Sequence, residues 1–547
     1  MKRRFVLAFC LLSLLTLTHA QDSVSPPNTA TLAGTVVKEP GSQPLKKVLL
    51  HLIAEDQNQG GNYTADTDSE GHFRVEKVQP GRYRLLLEKT GFHQINLRGH
   101  QAESSILSVQ PGQDVDGLLF QMLPAAVITG KVVDEDGDPM PGYGVSLLRK
   151  RPGKSREPEA INNERANDLG EYRFGGLFPG QYLVAVTPLP DARNFERLAK
   201  ESDNTSNKPD LNYLVTYYPG TTDSAQAAVI SLRAGDEMPV NFTMVPGRTY
   251  RVRGIVNGVP ANQKPMIQII SKGVNNSMNA AEVAADGQFE VRGMAPGSYT
   301  ITVFSGSEGT FLTTRASVTV VAADVEGLKL VPVRPFAVSG HLRFEGWPSQ
   351  SVTGLTASLR PAPDADDNGM SISVEGWNAK VDRFGNFQWT SVTPGNYVAS
   401  VYFDPSGNSF LKSATVGNSA ADTGFRVTGP TTIELVIGSR AGMLEGAVLD
   451  HDKPASNATV VAVPEEKYRK LRDRYGVGSA DQNGRFTIRG LAPGTYTVFA
   501  WQDIDEGLYY DPAFLKSQDS NGVPLKIEEG SRQKIELKLS PVSDEWQ

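Results

Sequence analysis

Apolar and polar residues alternate along this chain in short runs, and one arrangement of those runs returns five times. The copies read DSEGHFRVEKVQPGRYRLLL, NDLGEYRFGGLFPGQYLVAV, AADGQFEVRGMAPGSYTITV, DRFGNFQWTSVTPGNYVASV and DQNGRFTIRGLAPGTYTVFA. Each holds an aromatic, at Phe73, Tyr172, Phe289, Phe387 or Phe486. Ten residues later each has a tyrosine, at Tyr83, Tyr182, Tyr299, Tyr397 or Tyr496. The aromatics follow one another at intervals of 99, 117, 98 and 99 residues. A steady period of this size is the mark of an array of similar units.

The positions within a copy predict its elements. Gly71, Gly170, Gly287, Gly385 and Gly484 mostly follow Asp- or Asn-rich stretches, and such pairs make tight turns because glycine accepts a positive φ. Beyond the turn the aromatic and the residue two further on share a side, as in Phe73/Val75 and Phe387/Trp389. Period two with one apolar face predicts a half-buried strand. Pro-Gly follows at 80–81, 179–180, 296–297, 394–395 and 493–494. Proline presets the first corner of a turn and glycine permits the second. The tyrosine then begins a second strand, so each copy reads as a core hairpin whose tyrosine packs its ring and caps a backbone group with its hydroxyl. Runs at 32–37, 128–133, 252–257, 338–343 and 444–449 read as opening strands. VDGLLFQM, MPVNFTM, VEGLKLV, TIELVI and KIELKL read as closing ones. Some seven short strands in roughly 100 residues is the pattern of a β-sandwich.

The first twenty residues differ from the rest. Lys2, Arg3 and Arg4 precede an apolar stretch from Phe5 to about Leu17, and Thr18-His19-Ala20 offers small residues before a cut at Gln21. This predicts a secretory signal peptide at 1–20; the stretch is shorter than the ~20 residues that span a bilayer. Cys10 is the only cysteine and leaves with it, so the mature chain holds together without disulfides. The net charge of −7 becomes −10 once the three basic residues of the signal are removed. With no large basic cluster, nucleic acid and anionic membrane are poor partners, and no later segment is apolar enough to cross a membrane.

G-x-V near the start, D-x-x-G-x-F in the middle and then h-x-P-G-x-Y, with h apolar, resembles the carboxypeptidase regulatory-like domain. The resemblance covers nearly all of residues 31–541 in five copies. It implies a prealbumin-like β-sandwich, akin to the B-type repeats of collagen adhesins and grouped with starch-binding-like folds. In metallocarboxypeptidases this module is an accessory to a separate catalytic domain, which has no counterpart in this sequence. The expected fold class is all-β: five tandem Ig-like or prealbumin-like β-sandwich domains after the signal peptide. Their expected bounds are 31–124, 125–247, 248–334, 335–440 and 441–541, with an insertion at about 189–235 in the second. Short connections between them predict a semi-rigid rod.

Little chemistry stands out. Six histidines remain after signal removal, none in an H-E-x-x-H pattern, and there is no G-x-S-x-G elbow or phosphate loop. Residues 364–375, DADDNGMSISVE, match the spacing of a Ca2+ loop, with Asp364, Asp366, Asn368 and Glu375 as ligands. Ser371 stands where a hydrophobe anchors such loops and the flanks read as strands, which favours a plain acidic loop; no other cofactor is expected. Long tails in the second and fifth copies carry Tyr217-Tyr218 and Tyr509-Tyr510, readable as packed strand edges or as an exposed ligand platform. Trp389 takes an inward position of the repeat, whereas Trp347 and Trp377 lie in less regular stretches. Exposed rings there would stack on sugar, and buried ones would pack. The expected function is therefore a non-catalytic structural or interaction protein, periplasmic or extracellular, partnered by protein or polysaccharide at the cell envelope. The alternatives are a carbohydrate-binding protein and an accessory subunit of an extracellular hydrolase.

Overall fold

The computed structural model describes residues 29–543 and Trp546, apart from 56–59, 96–104, 151–157, 188–210, 272–276, 307–310, 346–354, 363–377, 403–407, 503 and 506. The expected signal at 1–20 and the first part of the insertion lie outside the described residues.

The repeat aromatics sit on strands His72–Val78, Glu171–Leu177, Gln288–Met294, Asn386–Val392 and Arg485–Leu491. Each pairs antiparallel with the opening strand of its copy: Ala30–Lys38, Ala126–Val133, Tyr250–Val256, Phe336–Glu345 or Gly442–Asp450. On the other side of every opening strand lies the closing strand, running parallel to it. The repeat tyrosines belong to a different sheet. Their strands, Gly81–Glu88, Gly180–Thr187, Gly297–Ser305, Gly395–Tyr402 and Gly494–Trp501, pair with Leu49–Ala54, Gly144–Arg149, Met266–Ser271, Thr356–Pro361 and Thr459–Pro464. Five buried clusters, one per copy, each draw on both sheets. The molecule is thus five tandem Ig-like β-sandwiches.

The expected core hairpin is corrected by this pairing. The aromatic and tyrosine strands belong to opposite sheets, and the Pro-Gly between them is a corner crossing from one sheet to the other. The glycine opens the new strand instead of bending the turn. The left-handed residue lies three positions before the proline, at Lys77, Gly176, Gly293, Ser391 or Gly490, with φ between 56° and 77°. It produces a bulge at which the register with the opening strand slips, between Ala30 and Leu32 in the first copy and at the equivalent step in the others. The tyrosine locks the corner. All five rings are buried, and each hydroxyl donates to the carbonyl four residues back. Those acceptors are Gln79 (2.6 Å), Phe178 (2.9 Å), Ala295 (2.9 Å), Thr393 (2.9 Å) and Ala492 (2.8 Å). Burial pushes the phenols of Tyr83, Tyr299 and Tyr496 up to about 12.

The glycine of each opening strand has a reason the pattern alone did not supply. Gly34, Gly130, Gly254, Gly340 and Gly446 stand opposite the repeat aromatic in register. A Cβ would fall 2.8 Å from the rings of Tyr172, Phe289 and Phe486, 2.0 Å from that of Phe387, and at Gly34 2.2 Å from the Leu118 carbonyl oxygen. Contacts that short do not occur; in four copies the nearest atom is a backbone carbonyl oxygen of the closing segment, at 1.8–2.2 Å, and only at Gly340 is the ring nearest, so the opening strand must pass between them with no side chain there.

Candidate functional site

The segments that break the period are covers. In the fifth sandwich the outward sides of Val461, Val463, Phe499 and Trp501 carry a second apolar layer built by Leu508, Tyr509, Phe514, Leu515 and Trp546. A short helix, Pro512–Ser517, supplies two of these; Asp511 caps it by accepting from the N–H groups of Ala513 (2.8 Å) and Phe514 (3.2 Å). Trp501 stacks on Phe499 with centroids 5.1 Å apart. In the second sandwich Tyr217 covers the outward-facing Leu148, Leu183 and Ala185.

This placement decides the tyrosine pairs. Tyr217 and Tyr509 are 7% and 5% exposed, so neither offers a free ring face. Tyr218 packs edge-on against Phe242 (6.1 Å) and Tyr510 against Tyr475 (4.7 Å). The reading as an exposed platform is therefore corrected for Tyr217 and Tyr509, which cover a sheet, while Tyr218 and Tyr510 are half-buried with one edge packed on a neighbouring ring. Trp389 is fully buried, its indole donating to the Ala357 carbonyl at 3.0 Å. His72 and His341 face solvent. Trp347, Trp377, Asp364, Asp366, Asn368 and Glu375 lie outside the described residues. Among the described residues no three His, Cys, Asp or Glu side chains gather closely enough to hold a metal ion.

What the structure does bring together are surfaces between sandwiches. The His93 ring of the first stacks on Phe178 of the second at 3.6 Å, and its Nε2–H donates to the Gly176 carbonyl at 3.0 Å. Burial lowers the imidazole pKa, so the neutral ring is favoured. At the junction of the second and third, strand Leu211–Tyr213 of the second pairs with the connecting strand Pro246–Arg248. The fourth and fifth are joined by Arg360–Asp473 (2.5 Å), by the Tyr468 hydroxyl donating to Asp422 (2.7 Å), and by Arg474 donating to the Leu411 carbonyl (3.0 Å). Glu529 of the fifth also meets Lys412 at 3.3 Å and Arg440 at 3.5 Å. A cleft of about 130 Å³ between these two is lined by Phe410, Leu411, Arg474, Tyr475 and Arg489. That is room for a few waters, against the roughly 300–1,000 Å³ of ordinary ligand pockets. Stacked rings, ion pairs and side-chain-to-backbone bonds are the chemistry of protein contact. None of these side chains has a signature in sequence, because each pairs with a residue in another repeat.

Fold and surfaces together define a tandem array of Ig-like sandwiches that pack through their edges. The family model of the carboxypeptidase regulatory-like domain matches residues 31–121, the first of them. No curated protein sequence matches the chain. Among solved structures it is similar to the Bacillus anthracis TIE protein, at 11% identity and a TM-score of 0.17, over 56% of this chain and 50% of that one. It is also similar to a streptococcal ancillary pilin, at 11% identity and TM-score 0.17, over 55% of this chain and 99% of the pilin. The major pilin subunit of Bacillus cereus aligns at 12% identity and TM-score 0.15, over 57% and 99%. The chain spans about half the length of the TIE protein.

Proposed function

We propose that this chain is an exported, non-catalytic array that works by contact, a structural or interaction protein of the cell envelope, with domains at 31–124, 125–247, 248–334, 335–440 and 441–541. The observation that supports the reading is how the copies differ. Their cores repeat one another, while side chains peculiar to one copy cover a sheet, as Tyr217 and Tyr509 do, or bind a neighbouring sandwich, as His93 and Asp473 do. Rigid sandwiches carrying variable edges are a common basis for assembly and adhesion, although a sandwich alone hosts many roles. The basic and apolar start at residues 2–17 supports export to the periplasm or beyond.

The test has two arms. Expression from the full sequence followed by mass measurement of the exported product is expected to give a chain beginning at Gln21; an intact N-terminus retained in the cytoplasm overturns export. The purified chain is then offered panels of peptide and glycoside substrates and titrated with soluble glycans while tryptophan fluorescence is followed. No turnover above a heat-unfolded control is expected, and the fluorescence stays flat. Sustained turnover overturns the non-catalytic reading, and saturable quenching by one polysaccharide moves the assignment to carbohydrate binding.

A further inference from the structure

The fifth sandwich touches more than its neighbour in sequence. Its repeat turn, Asp481-Gln482-Asn483-Gly484, lies against the first sandwich at strand Ser105–Val109, the outer strand of the sheet that holds Tyr83. The N–H of Ser108 donates to Gln482 Oε1 at 3.0 Å, and Gln482 Nε2 donates to the Ser108 carbonyl at 2.8 Å. A neighbouring antiparallel strand makes this same pair of bonds to a residue whose backbone groups face outward. The Gln482 carboxamide therefore does the work of one strand rung at an edge that would otherwise stand open.

Three further observations fall at the same place. Ile106 alternates with the core residues Leu107 and Val109 and so points away from its own core, yet it is 5% exposed. Asp481 is 1% exposed, whereas the equivalent Asp68, Asn167, Ala284 and Asp382 of the other four turns are exposed. Its Oδ1 accepts from the N–H groups of Asn483 and Arg485, both at 2.9 Å, but its Oδ2 is buried with no hydrogen-bond partner. Burying an unsatisfied carboxylate oxygen is costly, so contact at this turn must be favourable enough to offset it. A second anchor lies elsewhere on the same sandwich. Asp505 of its tail stands 3.7 Å from Arg149, which ends a strand of the second sandwich beside Tyr182.

We propose that the five sandwiches form a closed chain, in which the fifth docks within one molecule onto the outer strand of the first and the end of the second, with Gln482 as the clasp. The semi-rigid rod expected from short connections does not hold for an array whose first and last members meet. The turn motif is common to all five copies; the glutamine at its second position is what adapts this one to a strand edge.

The mature chain has no cysteine, so introduced thiols report without background. In the full mature chain, Ile106→Cys places a thiol on the clasped strand two residues from Ser108, where labelling by a small maleimide is expected to follow the opening equilibrium. With Gln482 intact, labelling is expected to be far slower than at an exposed control thiol. Gln482→Ala removes both bonds and is expected to speed it on the order of tenfold, the effect of losing about 1.4 kcal/mol. Gln482→Glu is a second variant of nearly the same shape, which sets a carboxylate against the Ser108 carbonyl and should act in the same direction. Labelling as fast as the exposed control, or a rate that neither variant changes, overturns the proposal. A separate chain carrying Gln110→Cys and Asn483→Cys, both exposed positions, is treated with a short bis-maleimide. The link is expected within one chain; a product of twice the mass would overturn closure within the molecule.

Discussion

The five corners do not bend with the same residue, and that difference yields a prediction with a sign. At the bulge three copies use glycine, Gly176, Gly293 and Gly490, with φ from 70° to 77°, whereas the first and fourth hold Lys77 and Ser391 at φ 56° and 61°. A residue with a Cβ costs roughly 1–2 kcal/mol in this region. Glycine costs about 0.5–1 kcal/mol through its greater freedom in the unfolded chain. Ser391→Gly and Lys77→Gly should each therefore stabilise their own sandwich, by roughly 0.5–1 kcal/mol. For a unit of about 100 residues this raises the melting point by about 2–6 °C. Hydrogen exchange read by mass spectrometry in mild urea assigns the effect to a sandwich. Ser391→Gly should slow exchange about two- to fivefold in strands Phe336–Glu345 and Gly395–Tyr402 and leave the first three sandwiches unchanged. Gly490→Ser should do the opposite in the fifth sandwich. Neutral or destabilising outcomes at both Ser391 and Lys77 would refute the reasoning that the bulge is a strained left-handed position common to the repeat.

Three other outcomes follow from named contacts. Gly340→Ala puts a Cβ into the Phe387 ring and should cost about 1–3 kcal/mol in equilibrium denaturation; a neutral result would mean that the ring does not lie over this strand. The corner phenols of Tyr83, Tyr299 and Tyr496 are held neutral by burial at about 12, above an unfolded value near 10, so the stability they contribute is complete below about pH 10 and is lost as pH rises toward 12. Phenolate absorbance should lag until unfolding, and Tyr299→Phe should lose about 0.5–1.5 kcal/mol at neutral pH along with its share of the alkaline sensitivity. His93 runs the other way: its folded pKa is lowered, so the contact between the first and second sandwiches is complete above about pH 6.5 and weakens as pH falls through the folded value. His93→Phe should abolish that acid dependence in thermal unfolding, and a dependence that survives the substitution would assign it to another group.

The repeat and its strands were legible because period two and turn chemistry are local. The buried rings at Phe73 and Tyr83, the positive φ at Gly71 and the tyrosine hydroxyl bond all stand where those local rules put them. Partnership was not legible. Alternation marks His72–Val78 and Gly81–Glu88 as strands, but says nothing of whether they pair with each other or cross between sheets, and Pro-Gly serves either. Gly34 and its equivalents carry the missing information, since a glycine inside a strand implies a close approach, here by an aromatic ring or the backbone of the closing strand. The tails stayed ambiguous for a related reason. In sequence Tyr509 and Tyr217 read as packed edges or as an exposed platform, and nothing local decides between the two, because the outward-facing Trp501 and Leu183 they cover belong to another strand. Contacts such as Gln482 with Ser108 join residues 374 positions apart and leave no periodic trace.

The central claim is that each copy closes its own two-sheet core around its corner tyrosine. Tyr299→Ala tests it most directly, since removing a buried aromatic costs about 3–5 kcal/mol and the third sandwich has no part in the clasp. Hydrogen exchange along the full chain should then quicken within about 250–330, in the strands of both sheets, and stay at its original rate in the other four sandwiches. Exchange that quickened across all five, or only along strand Gly297–Ser305 while its opposite sheet kept its protection, would contradict the account.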